Sequence, residues 1–189
     1  VDGANFGAYR YEHGFSVVSD IDQRADVKPR QEFHLWLTGT RKGARDMPRK
    51  PRDFKKGYCY HITVRCNSRE FRLSKKTLRQ TLLYTVDKAR GKFRFKLYAL
   101  CIMSNHVHYL IGPDRPRELS KIMHYINWYT AMCFNRLLNR TGHFWEQRYS
   151  STGFANHDKR RALNTLRYIH ANPKAAGMKR GFFYGFSNY

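Results

Sequence analysis

The chain is 189 residues long, with 41% hydrophobic and 15% aromatic residues, enough for one real core, and this argues against a wholly disordered chain. Lys plus Arg is 36 against 14 acids, a net charge of +22, which points to a polyanionic partner such as nucleic acid. No run of about 18 apolar residues occurs, so no membrane span is expected, and Val1 to Asp22 does not read as a secretory signal.

The charge is unevenly placed. Residues 1–46 hold seven basic and seven acidic side chains, so the whole excess lies in residues 47–189. The first 46 residues show no sustained period beyond a short alternation at Gln31–Gly39. They are expected to be a disordered or non-native extension, and residues 47–189 the functional domain. Four cysteines, Cys59, Cys66, Cys101 and Cys133, form no CxxC pair. A zinc ribbon or finger is therefore not expected, and reduced, packed thiols in a cytosolic chain are.

Elements follow quickly from Tyr58. "YCYHITVRCN" reads as a strand, with Tyr60, Ile62, Val64 and Cys66 alternating against His61, Thr63 and Arg65. "SKKTLRQTLLYTVDKAR" reads as a helix capped by Ser74 and stopped at Gly91. "KFRFKLYALCIM" and "HVHYLIG" read as a hairpin about a turn at Ser104-Asn105. A long helix carries Leu119, Ile122, Ile126, Tyr129, Cys133 and Leu137 on one stripe and is expected to run to Gly142. Trp128, inside it, is expected in the core. "HFWEQRYSSTGF" reads as an irregular fourth strand, in which one of Phe144 and Trp145 must face outward. A last helix is expected to stop at Asn172-Pro173. This order predicts an α+β, ferredoxin-like or RRM-like fold: a four-stranded antiparallel sheet with helices on one face and an added C-terminal helix.

Among nine histidines only His106 and His108 lie two apart. On a strand, i and i+2 share a face, so two imidazoles stand side by side, as one divalent cation requires. Two merely exposed sheet histidines fit the same spacing. Tyr168 and Asn172 are i and i+4 and share a helix face, although a packing tyrosine near a helix end gives that pattern too. Together they suggest more. A metal held by two imidazoles and one amide oxygen leaves room for a phosphate, and a tyrosine one turn away can attack it. A phenol, with an unperturbed pKa of ~10, is a poor nucleophile without such help. Attack would leave a tyrosine-linked 5′-phosphate and a free 3′-hydroxyl. Tyr149 is the rival tyrosine and lacks an amide at i+4. Glu146 is expected as a salt-bridge residue.

Four segments, "YHITVRCNSREF", "LYALCIMSNHVHYLI", "GHFWEQRYSSTGF" and "LRYIHANPKAAGM", resemble the REP-associated tyrosine transposases. These are single-tyrosine transposases of the HUH superfamily, and the likeness runs from about Met47 to about Tyr189. It implies that His106 and His108 are the metal pair, Asn172 the third ligand and Tyr168 the nucleophile. It also implies Mg²⁺ or Mn²⁺ as cofactor and a single-stranded, hairpin-bearing (REP-like) DNA partner. Residues 1–46 have no counterpart in it, and relatives often carry more beyond the catalytic helix. Relatives act alone or share elements in dimers, so a homodimer is one of the open states. The expected place is the prokaryotic cytosol, in association with the nucleoid.

The arm "PRKPRDFKK" supplies Arg49, Lys50, Arg52, Lys55 and Lys56 as phosphate contacts, and Arg160, Arg161 and Arg167 stand on or beside the helix of Tyr168. A solvated tail gives the same composition. Two readings compete with strand transfer. A non-catalytic single-strand binding module predicts exposed aromatics on the two central strands. A hydrolase using only the histidines and water predicts activity without Tyr168.

Overall fold

The computed structural model describes residues 52–178 and 184–187. The expected extension over 1–46, and Arg49 and Lys50 of the arm, lie outside the described residues. Strand β1 (Tyr58–Arg65) leads to helix α1 (Lys76–Lys92) and then to the hairpin β2 (Phe95–Ile102) and β3 (His106–Pro113). Helix α2 (Glu118–Leu137), strand β4 (Ser150–Ala155) and helix α3 (Lys159–Ala175) complete the order. The sheet order is β2-β3-β1-β4 with every pair antiparallel, which is the expected ferredoxin-like plan.

The two central strands have two covered faces, and alternation decides which residue meets which layer. Tyr60, Ile62 and Val64 on β1 pair with Ile111, Tyr109 and Val107 on β3 and are buried with them. The apolar stripes of α1 and α2, which pack on each other, cover that face. On the opposite face, Ala162, Leu166 and Ile169 of α3 pack over Cys59, Ala99, Cys101, Leu110 and Phe154. The C-terminal helix therefore forms a third layer. All four cysteines are free and buried, as expected of packed thiols.

Several local expectations are corrected. Ser74 does not cap α1: its hydroxyl donates to the Phe71 carbonyl, and the cap position falls on Lys75. Gly91 lies inside the last turn of α1. Helix α2 ends at Leu137, and the chain reverses through left-handed Asn139 (φ 47°) before it reaches Gly142. Trp128 is 53% exposed rather than core. At about 100° per residue it points away from the stripe that Ile126 and Tyr129 share.

Phe144 and Trp145 are both buried, because no strand forms there beyond a single bridge between Cys66 and Trp145. Freed from strand alternation, the two rings pack 4.6 and 6.1 Å from Phe134, and the Trp145 indole N–H donates to the Asn127 carbonyl at 3.0 Å. Helix α3 passes through Pro173 to Ala175 instead of stopping at it. Proline has no N–H for the Ile169 carbonyl. The Asn172 amide stands in, donating to the Tyr168 carbonyl at 2.7 Å and to the Ile169 carbonyl at 3.4 Å.

Candidate active site

Strand β3 puts His106 and His108 on the α3 face of the sheet, ring centroids 4.8 Å apart. Across the ladder Thr63 lies opposite His108 and Arg65 opposite His106. His61, the next residue on the same face of β1, stacks on His108 with centroids 5.2 Å apart. Its Nε2 is 3.0 Å from His108 Nδ1, and Thr63 Oγ1 is 3.2 Å from the same atom. His106 Nδ1 meets Asn105 Oδ1 at 2.6 Å.

Ile169 seats α3 on the sheet, and its neighbour Tyr168 leans over the histidines. The phenol ring meets His61 and His108 edge-on at 5.6 and 5.7 Å. Tyr168 nevertheless stays 56% exposed, so the site is open to a large substrate. Asn172 stands one turn further along the same helix face. Its Nδ2 is spent on backbone carbonyls, and its Oδ1 accepts no hydrogen bond among the described residues. The fold thus gathers Tyr168, His106 and His108, as the sequence predicted, and adds His61, Thr63 and Asn105, which it did not. Strand alternation puts His61 and Thr63 on one face. It does not say that this stretch of β1 lies against His108.

Burial pushes the His108 pKa down to about 3, with the charges of His106, His61 and Arg65 adding to it. Burial also lowers His106, helped by Arg65, and lowers His61. All three imidazoles are therefore neutral at pH 7, the form that ligates a metal. The buried Nε2 of His108 has no hydrogen-bond partner. A native protein rarely leaves such an atom without an ion or water. Among the described residues no group of three or more His, Cys, Asp or Glu is arranged to hold a metal. A further protein ligand would then be an oxygen donor of another kind, for which Asn172 Oδ1 on α3 is the candidate expected from the sequence. The donor set fits a divalent cation.

Tyr149, the rival nucleophile, is buried, with its hydroxyl 3.5 Å from Ser120 Oγ. Glu146 is exposed and forms no ion pair among the described residues, against the expectation. Arg160, Arg161 and Arg167 are exposed along α3, and the Arg161 guanidinium lies 5.8 Å from the Phe154 ring. Lys55 and Lys56 are exposed and Arg52 is half-buried. Part of the arm is fastened to the fold, since the Lys55 N–H donates to the Tyr60 hydroxyl at 2.6 Å. Among the described residues the exposed large apolar side chains are Phe71, Tyr98, Trp128, Leu163 and Tyr168, and none lies on β1 or β3. The stacking surface that a sheet-based binding module needs is missing from both central strands. No helix among the described residues is long and apolar enough to cross a membrane.

The chain belongs to the IS200-like transposase family, whose model matches residues 54–172, more than half of its length. It is a DNA transposase by that membership. Its fold is similar to that of a REP-associated tyrosine transposase solved bound to a REP hairpin. The identity is 20% and the TM-score 0.62, over 76% of this chain and 83% of that one. A looser likeness joins it to a protein of Deinococcus radiodurans assigned as a transposase, with 17% identity and a TM-score of 0.43 over 64% of this chain and 97% of that one. The curated proteins hold no match.

Proposed function

We propose that this transposase cleaves and rejoins single-stranded DNA beside hairpins through a covalent bond to Tyr168. The observation that carries this reading is the edge-on meeting of the Tyr168 ring with His108 and His61. Nothing in simple strand binding requires a half-exposed phenol over neutral, paired imidazoles. The partner is taken to be hairpin DNA, on the likeness to a transposase solved with a REP hairpin.

His106, His108 and Asn172 Oδ1 are the residues that would hold the cation. Bound there, Mg²⁺ or Mn²⁺ supplies polarisation of the scissile phosphate and stabilises charge on its oxygens. Helix α3 holds Tyr168 at the rim, where its oxygen reaches a phosphorus drawn in from solvent. The Tyr168 oxygen–phosphorus bond forms, the strand's 3′ oxygen leaves as a hydroxyl, and the phenolic proton passes to solvent. The phosphodiester energy is kept in the tyrosine ester, so rejoining needs no nucleotide. Arg160, Arg161 and Arg167 offer their charges to the backbone of the bound strand.

The test is a covalent-adduct assay on labelled single strands carrying the hairpins that flank its own gene, with Mg²⁺ or Mn²⁺ present or chelated. A metal-dependent adduct that disappears in Tyr168→Phe and His106→Ala is the expected result. Cleavage surviving in Tyr168→Phe would establish the hydrolase instead. Tight binding without adduct or cleavage would leave only the binding module.

A further inference from the structure

Behind each histidine of the pair stands a side chain that touches neither strand nor phosphate in the scheme above. Asn105 is placed by both of its ends. Its Nδ2 donates to the Arg69 carbonyl at 3.1 Å, so the atom left facing His106 Nδ1, at 2.6 Å, is the Oδ1 acceptor. An acceptor there requires the hydrogen to sit on Nδ1. A neutral imidazole carries only one, so Nε2 of His106 keeps its lone pair. The Arg69 carbonyl is itself held by an unusual backbone, since Ser68 and Arg69 are consecutive non-glycine residues at φ 54° and 56°. Such conformations persist where the surroundings over-determine them. The Asn105 carbonyl is clamped in turn by the Cys66 N–H at 2.8 Å.

His108 has the same arrangement from another direction. Its Nδ1 faces His61 Nε2 and Thr63 Oγ1, both able to accept, while its Nε2 is buried with no partner. A hydrogen on Nε2 would be a buried donor with nothing to bond, and a lone pair there is a free ligand.

We propose that Asn105 and His61 are positioning residues that lock His106 and His108 as Nδ1–H tautomers, so that both turn Nε2 lone pairs to one site. The metal-binding consequence rests on the reading of His106 and His108 as ligands; the tautomer lock does not. An outer partner of a ligating histidine fixes tautomer and ring orientation, and its loss costs about 10–100-fold in metal affinity.

The experiment uses the full chain in two arms. In the metal-free protein, long-range ¹H–¹⁵N NMR of the imidazoles reads the tautomers directly. Both histidines are expected as Nδ1–H, with His106 released to a mixture in Asn105→Ala and held in Asn105→Asp, whose carboxylate still accepts. In the second arm, calorimetric titration with Mn²⁺ is expected to show affinity falling about 10–100-fold in Asn105→Ala and His61→Ala and returning in Asn105→Asp. Nε2–H tautomers in the wild type would overturn the proposal even if every variant failed to fold. Undiminished Mn²⁺ affinity in both alanine variants would overturn it as well. Nδ1–H tautomers in a wild type that binds no Mn²⁺ would keep the lock and sink the metal reading alone.

Discussion

Ile169→Ala tests whether packing of α3 on the sheet is what aims the tyrosine. Ile169 is fully buried among Cys59, Ala99, Cys101, Met103, Leu110 and Phe154. The substitution removes three carbons, which at about 0.8 kcal/mol each cost about 2.4 kcal/mol in transfer free energy. The cavity adds to that. Ala99, Cys101 and Leu110 are fixed on β2 and β3 and cannot swing in, so the total should reach about 3–4 kcal/mol. Besides Ile169, helix α3 meets this cluster through two residues, Ala162 and Leu166, and Met178 and Tyr184 pack on it from beyond the helix. Loosening it moves the adjacent Tyr168, and a displacement on the order of 1 Å costs about 100-fold in rate. Urea denaturation followed by circular dichroism gives the first quantity and the adduct assay the second. Leu163→Ala, on the outer side of the same helix and 52% exposed, is the control. It should stay within about 0.5 kcal/mol of the wild type. A loss under about 1 kcal/mol in Ile169→Ala, or undiminished cleavage, would refute the reasoning.

Gly153→Ala should destabilise by about 1–3 kcal/mol in thermal melts, as overpacking does. A Cβ there would stand 2.6 Å from Tyr60 Cε1, and that ring is buried with its hydroxyl tied to Lys55. Stability should fall on acidification. The folded His108 value of about 3 lies below the ordinary 6.5, so the unfolded chain takes up the proton first. The contribution is whole above pH ~6.5 and is lost as pH falls toward 3, at up to roughly 1.4 kcal/mol per unit. His108→Gln should flatten that slope in urea titrations at pH 7 and 5, and parallel slopes would count against the buried neutral imidazole. Asn172→Ala should cost about 1 kcal/mol, because the Ile169 carbonyl above Pro173 loses its substitute donor. It should also abolish metal-dependent cleavage, and full activity in this variant would remove Asn172 from the site.

Much of the site was legible because its parts are local. His106 and His108 share a face by strand geometry, and Tyr168 and Asn172 by helix geometry, whatever the rest of the chain does. The sheet plan was legible for the same reason: alternation at Tyr60 to Cys66 and the 3.6-residue stripes of α1 and α2 are properties of neighbouring residues. Misjudged points arose where a distant partner outweighed the local signal. Phe144 and Trp145 left the strand pattern because Phe134 and Asn127 offered both rings a place. Helix α3 continued through Pro173 because the Asn172 side chain serves the carbonyl that proline abandons.

The amino-acid sequence by itself determined the basic charge, the order of elements and which side chains could share a face, since these follow from composition and backbone period. Only the tertiary structure decided that His61 stacks on His108, that Asn105 is braced by Arg69, and that the Tyr168 ring meets His108 edge-on. Those contacts join segments up to tens of residues apart. They depend on strand register and on which face α3 covers, and both are set by packing summed over the whole core.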